Sequence, residues 1–204
     1  MIDKKYKDQI EKASCEITDF LQRAKEKEVF PGAVLGIVTD ESLLFKACTG
    51  WSQLEPEKRS MSLDTIFDLA SLTKVVATTS AVMKLIEKGK INLWDYINEY
   101  FSEIPEEKSE MTVFNLLTHT SGYQDSAELQ KKEKYSEKIK YILNLPLENE
   151  IGKVINYSDL NFILLGELIQ RVSGMSFSKF TNIHVFSPLG MEKTGFNLKN
   201  KLEG

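Results

Sequence analysis

Apolar residues near the N-terminus recur at helical spacing: Ile10, Ala13, Ile17, Leu21 and Ala24 share one face of a helix predicted from about Ile10 to Ala24, ended by Pro31-Gly32. The pattern then changes period. Ala33–Val38 and Leu43–Cys48 are short, continuous apolar runs around the polar Thr39-Asp40-Glu41-Ser42, which predicts two buried strands joined as a hairpin. A looser, charged stretch over 51–62 follows. Beyond it, Leu72, Val75, Val76, Thr79, Val82, Met83 and Ile86 keep the helical period until Gly89 stops it. Asn92–Ile97 reads as a short helix, and Thr112 as the N-cap of another through Val113, Leu116 and Leu117, broken at Gly122. The Lys- and Glu-rich stretch 124–140 reads as a solvated helix or loop. Leu160, Ile163, Leu164, Leu168 and Val172 predict a helix closed by Gly174, and a last helix runs from about Phe177 to Phe186, before Pro188.

Composition narrows the picture. With 204 residues, 42% apolar and 27% charged, the chain suffices for one large domain or for two lobes sharing a core. A net charge of −4, without a basic cluster interleaved with aromatics, argues against a nucleic-acid partner. The charged N-terminus lacks the apolar core of a secretory signal, and no run approaches membrane-spanning length, so the expectation is a cytoplasmic protein with no membrane partner. Cys15 and Cys48 read as reduced core thiols rather than a disulfide. His119 and His184 have no companion ligands at zinc spacing, so no metal or other cofactor is expected.

The most informative chemistry lies at the start of the helix after the ribbon, in Phe67-Asp68-Leu69-Ala70-Ser71-Leu72-Thr73-Lys74. Residues three apart on a helix are surface neighbours, so the Lys74 amine can reach the Ser71 oxygen without help from tertiary structure. A serine alcohol becomes a useful nucleophile when a base takes its proton or a cation stabilises the alkoxide, and lysine can do either. Spacing alone proves little, since a chain of this size contains roughly one Ser-x-x-Lys by accident. Ser176-Phe177-Ser178-Lys179 repeats the spacing and reads as the start of an ordinary amphipathic helix.

Several phrases in order give the Ser71 pair its context: Phe67 to Thr78; Leu116-Leu117-Thr118-His119-Thr120-Ser121-Gly122; Asn156-Tyr157-Ser158-Asp159 running into Leu164-Leu165-Gly166; and Pro188-Leu189-Gly190-Met191 followed by Thr194-Gly195-Phe196. Together they resemble the serine β-lactamase and penicillin-binding protein superfamily, in its class C β-lactamase, D-alanyl-D-alanine carboxypeptidase and esterase branch. The resemblance implies an α+β, two-lobe fold: a helical lobe over 61–204 and, over 1–60, the N-terminal helix and hairpin of an incomplete antiparallel sheet lobe. It implies hydrolysis of an ester, amide or β-lactam carbonyl through an acyl-enzyme, with Ser71 as nucleophile and Lys74 as its partner. Tyr157 falls where the family has the tyrosine of Tyr-x-Asn, a candidate general base once deprotonated. One cation at contact distance supplies stabilisation of the size that deprotonation near neutrality requires, and burial of the phenolate opposes it.

Asp159 departs from the family, whose third position there is often an asparagine able to donate to a substrate carbonyl; an ionised carboxylate only accepts. It can pair with Lys74, or repel a carboxylate-bearing substrate, which favours uncharged esters or amides. His119 reads as structural. The family's Lys-Thr-Gly or His-x-Gly strand lies well downstream of the Pro-Leu-Gly-Met phrase, and Lys193-Thr194-Gly195 spells the triplet only within a turn. Its absence implies a weaker oxyanion hole, built from the Ser71 N–H alone, and impaired activity. It also leaves the ribbon's edge exposed, open to self-association or to a complementing C-terminal fragment. Two readings therefore stand: a serine hydrolase, and a non-catalytic interaction module that binds a partner through its sheet edge.

Overall fold

The helical and alternating patterns resolve, in a computed structural model describing residues 2–132 and 134–196, into two units, Met1–Asp68 and Leu69–Gly204. In the first, α1 (Ile2–Glu26) precedes an antiparallel sheet of β1 (Gly32–Val38), β2 (Leu43–Gln53) and β3 (Arg59–Ser60), in the order β1-β2-β3. Ile10, Ala13, Ile17, Leu21 and Ala24 are the half-buried positions expected of the α1 stripe. Gln22 accepts a hydrogen bond from the Thr49 hydroxyl (2.8 Å), tying α1 to β2. Gly32 and Gly50 pair across the strands, where a β-carbon on Gly50 would stand 2.2 Å from the Pro31 carbonyl oxygen.

Three expectations change here. The second strand does not stop at Cys48 but continues to Gln53, and Trp51 and Gln53 pair with Ser60 and Arg59, so part of the loose charged stretch is sheet. The strands are half-buried rather than buried: none of residues 8–68 is fully buried, because one helix on a small sheet shields each side chain only partly. Cys15 and Cys48 are free but exposed, not core thiols.

The second unit is built around α5 (Asp159–Ser173), which packs against α2 (Ser80–Glu87), α3 (Val113–Leu117), α4 (Tyr135–Asn144) and α6 (Phe177–Thr181). Val82, Leu85, Leu116, Ile142, Leu164 and Leu168 meet in its core. Thr112 caps α3 as its sequence predicts: its hydroxyl accepts from the Asn115 N–H, and the Asn115 side chain answers the Thr112 N–H. Gly174, in the left-handed conformation (φ 69°), ends α5. α6 continues through a π-helical turn (Asn182–Phe186), completing the last predicted helix.

The register of α2 differs from the expected one. A π-helical turn, Lys74–Thr79, leads into it, and the buried positions are Ala77, Thr78, Ala81, Val82 and Leu85, whereas Leu72, Val75 and Met83 lie exposed. The inward stripe is one residue, about 100°, from the predicted one. Asn92–Ile97 is not a helix: the Asp95 carboxylate accepts from the Asn92 N–H and the Tyr100 hydroxyl, each at 2.6 Å, closing a turn, and a 3-10 turn follows at Ile97–Glu99. Behind the Lys- and Glu-rich surface, α4 buries Ile139, Ile142 and Leu143. Lys108 is buried too, its ammonium donating to the carbonyls of Leu143 (2.6 Å) and Leu145 at the C-terminal end of α4, where a cation suits the helix dipole. Among the described residues, no helix is long and apolar enough to cross a membrane.

Candidate active site

Ser71 lies in the turn that opens the π-helical segment, directly after Ala70, a non-glycine residue at φ 43°. A left-handed residue with a β-carbon costs on the order of 1 kcal/mol, and at this point it turns the chain sharply before the serine. Lys74 follows one turn on, its N–H donating to the Ser71 carbonyl at 3.0 Å. Its ammonium donates to Ser71 Oγ at 3.1 Å and to Asp159 Oδ1 at 2.7 Å. Ser71 Oγ also accepts from the Tyr157 hydroxyl at 2.7 Å. The four residues singled out in the sequence, Ser71, Lys74, Tyr157 and Asp159, thus converge on one point, although Ser71 and Tyr157 are 86 positions apart. Of the two options for Asp159, pairing with Lys74 is the arrangement observed.

Charge decides which protons sit where. Partial burial pulls the Lys74 ammonium down, but the hydrogen bonds and charges of Asp159 and Tyr157 together outweigh it and raise its pKa. Lys74 is therefore an ammonium at neutral pH. The same ammonium, followed by the Ser71 hydroxyl, holds the Tyr157 phenol below its ordinary value against smaller opposing pushes from desolvation and then from the charge of Asp159. Lys74 Nζ also stands 4.8 Å from the centre of the Tyr157 ring and 5.8 Å from that of Phe162.

His119 holds the tyrosine in place. Its backbone carbonyl accepts from the Asn156 N–H (2.8 Å), its Nδ1 accepts from the Ser158 N–H (3.0 Å), and its ring packs on Tyr157 at 4.6 Å between centroids. The residues on both sides of Tyr157 are thus tied to one histidine, itself at φ 57°. Burial, then the charge of Lys74, keep the imidazole below the ordinary histidine range, so it is neutral and able to accept. His119→Ala is expected to destabilise the fold by about 2 kcal/mol, because it orphans the N–H of buried Ser158 and removes the ring contact. His119→Asn, which tolerates positive φ and restores an acceptor, is expected to recover part of that loss. Urea unfolding measures both. Because the folded-state pKa is depressed, wild type should lose stability as pH falls through the ordinary histidine range and below, and His119→Asn should weaken that dependence, leaving the share of His184, whose pKa burial also lowers.

The site opens into a cavity of about 730 Å³. One wall is a single face of α5: Asp159, Phe162, Ile163, Gly166 and Gln170 follow at helical spacing. Of the stripe read from the sequence, Leu160, Leu164 and Leu168 are buried in the core and Ile163 lines this wall; Phe162, Gly166 and Gln170 were not singled out as site residues, although counting on from Asp159 would have found them. Ser176, read as a helix start, is indeed the N-cap of α6, its hydroxyl accepting from the Lys179 N–H, and it also lines the cavity rim. Lys193-Thr194-Gly195 lies in a turn, the Thr194 N–H donating to Met191.

An α+β fold with a serine, a lysine and a tyrosine at hydrogen-bonding distance is the architecture of the β-lactamase-like proteins. The Beta-lactamase family model matches residues 17–203, and the chain belongs to that family. An N-acetylmuramyl-L-alanine amidase of Bacillus subtilis (strain 168) is 31% identical over 189 residues, which cover 82% of this chain and 43% of that protein. The octameric penicillin-binding protein homologue from Pyrococcus abyssi superposes with a TM-score of 0.78 at 23% identity, over 93% of this chain and 46% of the other. A class C β-lactamase superposes with a TM-score of 0.77 at 22% identity, over 89% of this chain and 50% of its own. The chain thus spans less than half the length of the curated relative it matches.

Proposed function

We propose that this chain carries the nucleophilic centre of a serine hydrolase that opens an ester, amide or β-lactam carbonyl through an acyl-enzyme. The observation that carries the reading is the position of Ser71 Oγ, 3.1 Å from an ammonium and 2.7 Å from a phenol of lowered pKa, at the end of an open cavity. Lys74, held as an ammonium, is not the ground-state base; Tyr157 is. With Tyr157 as phenolate, Ser71 donates its proton to Oη while Oγ bonds to the carbonyl carbon and the C=O electron pair moves to oxygen. Collapse of that oxyanion breaks the bond to the leaving group, which takes the proton back from Tyr157. Water repeats the sequence on the acyl-enzyme: Tyr157 accepts its proton, the hydroxyl bonds to carbon, and Ser71 leaves reprotonated. Asp159 keeps Lys74 charged and occupies it, so the ammonium offers no free anchor for a substrate carboxylate, which favours uncharged substrates.

Exposure to a fluorophosphonate, followed by peptide mapping, tests the reading: the label should sit on Ser71. No label, or one confined to another side chain, would remove it. The second reading, a non-catalytic interaction module, is favoured by one feature: among the described residues β1 pairs only with β2, and Val34 and Val38 stand exposed on it. That reading predicts an unlabelled Ser71 and association in solution through the sheet edge.

A further inference from the structure

We infer that the cavity along α5 is a binding subsite for an extended, uncharged, apolar arm on the acyl side of the substrate, a specificity element that rests on the hydrolase reading above. The cavity begins at Ser71 and Lys74 and follows α5 from Asp159 to Gln170, a span of roughly 16 Å at the rise of a helix. Its apolar walls are Phe162, Ile163 and Phe177, which suit methylenes or an aromatic ring, with the uncharged hydroxyl residues Thr78, Ser176 and Ser178 beside them. Lys74 and Asp159 are the charged residues lining it among those described, and they are paired with each other at 2.7 Å. Charge is thus paired at the reacting end, and no other charged residue among those described lines the cavity; at its far end the Gln170 amide also donates to Glu167 at 3.2 Å. At the far end the Gln170 amide and the Tyr135 hydroxyl, 3.4 Å apart, give a polar stop.

Gly166 makes the arm's passage possible. It sits in the middle of α5 without positive φ, and a β-carbon added there would meet nothing within 4 Å. Helix geometry therefore does not ask for glycine at this position, where alanine or leucine would form the helix better. What a larger side chain would do is fill the cavity halfway between Ser71 and Gln170.

The test uses Gly166→Leu, a change that helix propensity favours, with a thermal melt to confirm folding. Turnover of p-nitrophenyl octanoate is compared with that of p-nitrophenyl acetate, and binding of N-methyloctanamide with that of N-methylacetamide is measured by titration calorimetry. Wild type should favour octanoate over acetate in kcat/KM and bind the longer amide more tightly, each by about tenfold or more, and Gly166→Leu should erase both preferences. Equal handling of long and short probes by wild type, or preferences that survive Gly166→Leu, would overturn the subsite. If neither ester is turned over while the long amide still binds and is lost in Gly166→Leu, the subsite stands and the hydrolase reading falls.

Discussion

Lys74→Ala is expected to lower kcat/KM for an activated ester by about a thousandfold and to move the rising limb of its pH profile to higher pH. The rate falls because the variant loses the fixed cation beside Ser71 Oγ, at 3.1 Å, where negative charge passes through during attack. The limb moves because Lys74 is the first cause of the lowered Tyr157 pKa. Once the ammonium is gone, Asp159 stands unopposed, and its charge pushes the phenol the other way. The fold should survive: the Asp159 side chain is 56% exposed and finds water in place of its partner. In wild type, activity should rise as Tyr157 loses its proton and fall again only where Lys74 loses its own, above the ordinary lysine range. Rates of p-nitrophenyl acetate hydrolysis across pH, corrected for the uncatalysed reaction, give both limbs. A variant with the lost rate but an unmoved limb would show that Lys74 does not set the ionisation of the base.

The site and the fold were legible in the sequence to different depths, for physical reasons. Ser71 and Lys74 meet through local helical spacing, which a sequence carries directly. Tyr157 and Asp159 were reached through the resemblance, because residues so far apart in the chain have no spacing rule between them. The rotation of α2 was not legible: Ala81, Val82, Met83, Leu85 and Ile86 present apolar side chains on two overlapping stripes, and the one buried is Ala81, Val82 and Leu85. β3 was hidden because Arg59-Ser60 is short, exposed and charged, with pairing to β2 as its only strand character. α4 was hidden by composition, since lysine and glutamate dominate the count while Ile139, Ile142 and Leu143 carry the packing. The core face of α5 was legible, since Leu160, Leu164 and Leu168 are buried as their spacing predicts; the neighbouring face that lines the cavity was not, because Phe162, Gly166 and Gln170 form no apolar stripe of their own.

Tyr157→Phe should lower kcat/KM by about 10²–10⁴-fold while leaving the protein folded and Ser71 in place. The substitution removes one atom, the Oη that lies 2.7 Å from Ser71 Oγ. Phenylalanine keeps the ring that packs on His119 at 4.6 Å and that faces Lys74 Nζ at 4.8 Å, so the loop through Asn156 and Ser158 retains its anchors. The loss should therefore fall on kcat, because the missing group moves a proton in the transition state and contributes little to holding the ground-state substrate. The rising limb of the pH profile should vanish with the phenol, since no other group of lowered pKa touches the Ser71 hydroxyl among the described residues. Slow labelling of Ser71 by the fluorophosphonate should persist, driven by the remaining ammonium at 3.1 Å. A variant within about threefold of wild type, with its limb intact, would relegate Tyr157 to scaffolding and hand the proton to water or to a transiently neutral Lys74. The combination of a lost limb, a lower kcat and an unchanged KM is the outcome that only a base at this position produces.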